Sequence, residues 1–325
     1  MYENKSIVII GFYYGSFPEW MEYWLRSCAD NSTIDFLLIT DIKLYDTPKN
    51  LKIINYKLSQ VKKLFEKKLD IKISLQKPYK LCDFRPLYGV LLQEYIQEYD
   101  YWGHCDFDLI WGNIRKFVEQ YKINEYDKFL PLGHLSLYRN TREVNNYYKL
   151  EGSNCGNFLR VIQSDDSFAF DEVGGIYAIY KYNKLPMFTK RIFAEIKMFH
   201  KRFRLKKCDR NYKHQVFYYE NGSVFRAYEE NGYIKTEEYI YIHFRRKLEV
   251  NNRKKWHDLK AFYITPDGFF EKRVGEIPNI QEIEKYNHNP GVCKELLETS
   301  IFCIKNITKI KTKVINTWIT YRGNK

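Results

Sequence analysis

An unbroken run of β-branched residues, Ile7-Val8-Ile9-Ile10, closes on Gly11 near the start of this 325-residue chain. Such a strand has no polar face to offer to water, so both of its faces need cover, which is the situation of a strand inside a parallel sheet. Trp20 to Cys28 follows with helical spacing, and Ile34 to Thr40 forms a second apolar strand that ends on Asp41. Strand, helix and strand make one βαβ unit and predict an α/β fold on a parallel sheet, doubly wound as the alternation continues. A third strand over Leu51 to Tyr56 precedes a Lys-rich amphipathic helix, Leu58 to Leu69. A further helix is expected over Pro86 to Tyr99, with Leu87, Val90, Leu91 and Ile96 as its apolar positions. The next strand, Asp100 to Cys105, runs straight into Asp106-Phe107-Asp108.

Beyond that triplet the pattern changes. Pro131 to Asp171 is rich in turn residues and reads as a site-forming insertion, while Thr189 to Phe203 is expected to be a basic helix. Late strands are predicted at Val224 to Tyr228, Tyr239 to Phe244 and Phe262 to Thr265, with Asn221-Gly222 and Asn231-Gly232 as turns. No Pro/Ser/Gly-rich linker interrupts the chain, so residues 1–285 are expected to form one catalytic domain and 286–325 a tail. In the tail Ile301, Ile304, Ile307, Val314 and Trp318 recur at helical steps, with Lys305, Lys309, Lys313 and Arg322 on or near the other face. Such a helix suits an anionic membrane surface, and equally a seat on the catalytic domain or on a second subunit.

Composition excludes several classes. Hydrophobic residues at 45% and aromatics at 18% are incompatible with a disordered chain. No apolar stretch approaches the ~20 residues that cross a bilayer. The first residues, Met1 to Lys5, contain neither the apolar core nor the cleavage site of a signal peptide, so the expected location is the cytoplasm, peripheral to the inner face of its membrane if the tail binds lipid. Seven cysteines, an odd number at wide spacings with no C-x-x-C pair, read as reduced thiols. A net charge of +13 invites nucleic acid, an acidic membrane surface or a phosphorylated substrate. The basic residues are scattered and carry no nucleic-acid-binding signature, so no nucleic-acid partner is expected and a stacking groove stands as the alternative reading.

The chemistry concentrates on Asp106-Phe107-Asp108. In extended backbone the side chains at i and i+2 share a side, so the two carboxylates face one cation while Phe107 points into the core. Ligands of open α/β sheets bind beyond the carboxyl ends of the strands, where this triplet sits. Carboxylate oxygens with a diphosphate completing the shell suit a hard divalent cation. A metal-dependent phosphodiester or pyrophosphate hydrolase would also use such a pair, but the further His/Asp cluster of two-metal hydrolysis is not evident.

The triplet, the βαβ opening, the upstream Lys77-Pro78-Tyr79-Lys80-Leu81-Cys82-Asp83-Phe84-Arg85-Pro86 and the late His243-Phe244-Arg245-Arg246-Lys247 together resemble nucleotide-sugar glycosyltransferases of the GT-A fold. Over roughly residues 5 to 250 the resemblance is to a family of bacterial capsule, O-antigen and cell-wall polysaccharide glycosyltransferases, and it implies a Rossmann-type mixed sheet flanked by helices. It implies that Asp106 and Asp108 hold Mn²⁺ or Mg²⁺ against the donor diphosphate, that Asp106 also contacts the ribose, and that His243 adds a metal ligand. Arg245 would then neutralise phosphate oxygens, Gly11, Tyr13, Tyr14 and Asp41 would lie by the base and ribose, and Lys80, Asp83 and Arg85 would approach the sugar-phosphate. Asp83 is also a candidate helix cap, and Lys80 and Arg85 candidate solvated charges.

A second acidic site follows in Phe170-Asp171-Glu172-Val173-Gly174-Gly175. Paired carboxylates can orient an acceptor hydroxyl or remove its proton, which makes Asp171 and Glu172 the candidate catalytic residues. Gly152 to Asn157 is expected to border the same pocket, with Cys155 as a buried thiol rather than a nucleophile. The expected activity is transfer of a hexosyl residue, with galactose in pyranose or furanose form as the choice, from a UDP-sugar to a bacterial surface polysaccharide or lipid-linked glycan.

Overall fold

The computed structural model describes residues 5–198, 200–207, 210–250, 253–291 and 300. Ser300 apart, the amphipathic tail expected over 296–325 therefore lies outside the described residues. Strand β1 (Ile7–Tyr13) leads through helix α1 (Met21–Asp30) to β2 (Asp35–Thr40) and then β3 (Leu51–Asn55). Helix α2 (Leu58–Leu69), a 3-10 segment at Pro78–Leu87 and two single turns, α3 (Tyr88–Leu91) and α4 (Gln93–Ile96), precede β4 (Tyr101–Cys105). The middle of the chain supplies β5 (Leu109–Trp111), α5 (Ile114–Gln120), β6 (Lys128–Phe129), β7 (Leu135–Arg139), α6 (Phe158–Gln163), α7 (Ile176–Tyr182), β8 (Met187–Phe188) and β9 (Ala194–Glu195). The last part holds β10 (Gln215–Glu220), β11 (Ser223–Glu230), β12 (Tyr233–Tyr239), β13 (Tyr241–His243), β14 (Ala261–Thr265), β15 (Gly268–Glu271) and α8 (Ile280–Tyr286).

Seven strands form the central sheet in the order β3-β2-β1-β4-β7-β6-β8. β1 runs parallel to β2 on one side and to β4 on the other, and β7 returns antiparallel to β4. The fold is thus α/β, with a mixed sheet flanked by helices. Alternate residues of β1 enter different cores: Ile7 and Ile9 pack with Trp24 and Leu25 of α1, Val8 and Ile10 with Val61 and Phe65 of α2. That two-sided burial is why Ile7 to Ile10 reads as continuous rather than alternating.

The remaining strands make a small sheet, β5-β13-β9, and a five-stranded antiparallel sheet, β12-β11-β10-β14-β15. Both expected Asn-Gly turns close hairpins of the second, and their positive φ values, 46° and 81° at Asn221-Gly222 and 55° and 82° at Asn231-Gly232, are those of type I′ turns. A third core, including Trp20 just ahead of α1 and Tyr23 within it, with Ile242 and Phe262, joins these sheets to the rest. No helix among the described residues is long and apolar enough to cross a membrane.

Three local expectations are corrected. Gly11 is not a turn residue but lies within β1, paired with Leu38 of β2. The helix expected over Pro86 to Tyr99 is the end of the 3-10 segment followed by two short turns, which part at Leu92, where the backbone leaves the helical region (φ −116°, ψ 19°). The basic helix expected over Thr189 to Phe203 does not form. Its apolar residues Ile192, Phe193, Ala194 and Ile196 are nearly consecutive and all buried, so an extended path through β9 covers them better than one helical face could.

Candidate functional site

β1, β2 and β4 all deliver their carboxyl ends to one edge of the central sheet, and the order of strands departs in opposite directions from β1. Crevices of this kind are where open α/β sheets bind ligands. Asp106-Phe107-Asp108 lies there, between β4 and β5. The Phe107 ring packs on Trp24 and Tyr13, each with centroids 5.0 Å away. Gly11 makes room for it, since a Cβ at that position would stand 2.5 Å from the ring. Trp20 Nε1 donates to the Phe107 carbonyl at 2.9 Å, Asp106 N donates to His134 O at 3.1 Å, and Phe244 N donates to Asp108 O at 3.0 Å. With Phe107 so anchored, the carboxylates on either side are left at the surface crevice, each about one third exposed.

His243 arrives from the other side of the molecule at the end of β13, whose antiparallel register sets it opposite Leu109 of β5. Its Nε2 lies 3.1 Å from Asp108 Oδ1 and 3.9 Å from Asp106 Oδ2. Burial alone would depress the His243 pKa, yet the hydrogen bond to Asp108 and the charges of Asp108 and Asp106 leave it above its ordinary value. Burial would raise the Asp108 carboxyl, and His243 instead brings it below the usual range. A proton on Nε2 thus stands where a cation would. Two carboxylates and one imidazole are a donor set that suits Mn²⁺, and the three ligand atoms lie within 4.8 Å of one another. The triplet and His243 thus lie together, at the positions where the resemblance implied a metal site.

Arg85 supplies the cation on the far side of this triangle. Its Nη2 donates to Asp106 Oδ1 at 2.6 Å and its Nη1 to Asp171 Oδ2 at 2.7 Å, with further bonds to the carbonyls of Gly133 and Cys105. Burial disfavours the guanidinium's charge, and Asp106 and Asp171 more than restore it. Arg85 is a tether between the metal triplet and the second acidic site, not a solvated charge. Asp171 is buried, and burial pushes its carboxyl up to about 7 despite Arg85. Occupied in this way, Asp171 positions Arg85 and is screened from an acceptor. Glu172 is only half-buried, with its pKa raised by burial against the pull of the Gly133 amide. Both carboxylates rest on Gly133, where a Cβ would come within 2.6 Å of Asp171 and 2.9 Å of Glu172.

Lys80 and Asp83 are placed differently from what the resemblance implied. Lys80 Nζ lies 2.9 Å from Asp83 Oδ2 and 2.7 Å from Val161 O, and also donates to Asp166 O. Asp83, fully buried, accepts from the amides of Phe168 and Phe170 at 3.0 and 2.9 Å. With every atom engaged inside the protein, the pair clamps residues 161–170 to the 3-10 segment and thereby fixes the approach to Asp171. It neither caps a helix nor meets a sugar-phosphate. Gly11 is likewise a packing position beneath Phe107 and is not exposed to a nucleotide.

Tyr13 ends β1, Tyr14 follows it and Asp41 follows β2, so all three stand at the carboxyl edge of the central sheet. Tyr13 stacks on Phe17 with centroids 5.2 Å apart. Burial, with the nearby charge of Asp41, drives the Tyr14 phenol well above its ordinary value. The Asn154 amide donates to Gly174 O at 2.8 Å, which brings the 152–157 loop against the second acidic site as expected. The Cys155 thiol points to Phe168 O at 3.4 Å and is raised by burial, in keeping with an inert thiol.

Four residues of the site were not anticipated. Glu195 of β9 is buried and paired in parallel register with His243. Arg191 and Lys206 bond to it together with the anticipated Arg245. His134 is buried beside them, its Nδ1 2.6 Å from the Tyr241 hydroxyl and its ring centroid 4.6 Å from that of His243. The chain offers no motif for these residues, because Glu195 and the cations on it reach the triplet through the pairing of a two-residue strand and His134 through its carbonyl, which accepts from Asp106 N just ahead of β7.

The model of a family described as "Family of unknown function (DUF6625)" matches residues 9–273, and the chain belongs to that family. No curated protein matches it. Among solved structures, mouse xyloside xylosyltransferase 1 in its apo form is similar over 59% of this chain and 88% of that chain, at 9% identity and a TM-score of 0.38. At that distance, activity is read from the residues of the site.

Proposed function

We propose that the protein is a metal-dependent glycosyltransferase that transfers a hexosyl residue, galactosyl by preference, from a UDP-sugar to a bacterial surface polysaccharide or lipid-linked glycan. The observation that carries this reading is the convergence of Asp106, Asp108 and His243 at the carboxyl end of β4, with Arg245 two residues beyond the histidine. Bound there, Mn²⁺ or Mg²⁺ supplies neutralisation of the diphosphate charge that grows as the donor's glycosidic bond breaks. Asp106 Oδ2, Asp108 Oδ1 and His243 Nε2 would hold it. Arg85 fixes the orientation of Asp106 through its other oxygen. Arg245 offers a fixed positive charge to the departing UDP, which needs no reorganisation at the moment of transfer. In an inverting transfer Glu172 takes the proton of the acceptor hydroxyl as that oxygen bonds to the sugar's anomeric carbon; its raised pKa and partial exposure suit a base better than buried Asp171.

A two-metal hydrolase is a poorer match. The second metal-like group among the described residues, His134, Glu195 and His243, has its carboxylate already engaged by three cations, which would repel an ion. The same reading places the enzyme in the cytoplasm, held at the inner membrane surface by residues 296–325. Removing those residues should then release it from anionic vesicles while leaving transfer to a small soluble acceptor intact. The deciding experiment incubates the full chain with Mn²⁺ and a panel of nucleotide sugars and follows UDP release, with NMR of the product. Release from one donor is expected, and silence from folded protein across the panel would refute the proposal.

A further inference from the structure

Glu195 carries more positive charge than a buried carboxylate needs. Its side chain is 3% exposed, and its oxygens accept from Arg191 Nη2 at 2.7 Å, Lys206 Nζ at 3.0 Å and Arg245 Nη1 at 3.0 Å. One cation would balance the carboxylate, so three leave an excess around it, of which Asp108 meets part through Arg245. That excess is not buried: the side chains of Arg191, Lys206 and Arg245 are 29%, 39% and 23% exposed. Among the described residues the Arg245 guanidinium and the Lys206 ammonium each make one hydrogen bond, so most of their five and three donors face outward. Like charges gathered in this way repel one another, and an added anion at their exposed donors relieves that repulsion.

The backbone points the same way. Arg245 sits at φ 58°, in the left-handed region that costs a residue with a Cβ roughly 1–2 kcal/mol. Such strain persists where surrounding structure over-determines it, and it gathers at ligand-binding positions. Here it turns the guanidinium onto Glu195 immediately after His243 and Phe244. Because Glu195 is the registered neighbour of His243, the three cations stand beside the Asp106–Asp108–His243 triangle rather than on a remote surface. His134, buried with Nε2 unpartnered, offers a ring nitrogen within 4.8 Å of both Glu195 and His243.

We propose that Arg191, Lys206 and Arg245, splayed around Glu195, form an anion subsite that takes the diphosphate of the nucleotide donor and product. Glu195 is a positioning residue: it holds three mobile side chains with their free donors toward one place. Naming a nucleoside diphosphate as the natural ligand rests on the glycosyltransferase reading, whereas the anion subsite itself does not.

Inorganic pyrophosphate is titrated into the full chain by calorimetry in EDTA, at several ionic strengths, with Arg191→Gln, Lys206→Met and Lys206→Arg alongside the unaltered protein. The unaltered protein should bind pyrophosphate without metal and more tightly than orthophosphate. Loss of one charge-assisted donor should weaken binding about tenfold and flatten the dependence on salt, a change that a structural role would not produce. Lys206→Arg, which keeps the charge, should restore binding if Lys206→Met proves unstable. Unaltered affinity in folded Arg191→Gln and Lys206→Met, or no binding of pyrophosphate in EDTA, overturns the subsite. Pyrophosphate binding that responds to these substitutions, in a protein that releases UDP from no donor, would sink the glycosyltransferase reading and leave the subsite standing.

Discussion

Replacing Arg85 by Met isolates the tether between the two acidic sites. Arg85 is 13% exposed and Asp171 3%, so the substitution strands a buried carboxylate, for which the usual cost is about 3–5 kcal/mol. Spread over an unfolding entropy of about 2 cal/mol/K per residue, that is a fall of roughly 4–7 °C in Tm for a chain of this size. The loss should depend on pH. Asp171 titrates at about 7 when folded, above its ordinary value, so the stability contributed by its neutral form is present at low pH and is lost as pH rises through 7. Arg85 lowers that pKa, and without it the carboxyl should stay protonated to higher pH at a growing cost relative to the unaltered protein. Differential scanning calorimetry should therefore show the full gap at pH 8.5. At pH 5.5, where Asp171 is protonated in both proteins, a gap of about 1–3 kcal/mol should remain, from the carbonyls of Gly133 and Cys105 that lose their donor. Adding Asp171→Asn to Arg85→Met should recover the pH-dependent part of the loss at pH 8.5 and leave the gap seen at pH 5.5. Equal gaps at the two pH values, or no recovery in the double variant, would refute the assignment of Asp171 as the group that Arg85 serves.

Other substitutions test the remaining parts. Asp106→Asn and Asp108→Asn should each abolish Mn²⁺ binding, followed by the EPR signal of free Mn²⁺, with a modest fall in Tm because Arg85 and His243 each lose a charged partner. Gly11→Ala drives a methyl group into the Phe107 ring; it should cost about 1–3 kcal/mol and weaken Mn²⁺ binding although no ligand is touched. Lys80→Met leaves Asp83 buried without its cation, so Tm should fall by several degrees while pyrophosphate affinity of the folded protein stays unchanged. A stable Lys80→Met protein with lost pyrophosphate affinity would return Lys80 to the binding site.

Much of the architecture is legible in the chain because its signals are local. Ile7 to Ile10 is apolar throughout, Val61 and Phe65 sit four apart on α2, and each Asn-Gly pair has the backbone freedom its hairpin requires. The triplet was legible too, since i and i+2 share a side in any extended segment. What escaped was decided by tertiary contact. Thr189 to Phe203 has enough charge to suggest a solvated helix, but Ile192, Phe193, Ala194 and Ile196 are drawn into the core between sheets. Arg191 and Glu195 even keep the i, i+4 spacing of a helical ion pair, on a segment that is not a helix. Lys80 and Asp83 misled for the opposite reason: they look like a polar surface patch in sequence, and only the carbonyls and amides of residues 161–170 turn them into an interior clamp.

The pairing of β5 with β13 gives the site a history in time. Asp108 adjoins the first of these strands and His243 ends the second, and the two residues that meet at 3.1 Å are 135 positions apart in the chain. A ribosome adding about 5–20 residues per second exposes the two carboxylates roughly 7–27 s before the imidazole that completes the set. Throughout that interval the nascent chain carries an open acidic pair with a weak grip on any cation, and β5 lacks the neighbour that its backbone donors need. The three candidate ligand atoms can come together only after β13, one of the last strands to be synthesised, has paired with β5, so their meeting marks a chain whose far end has reached its near one.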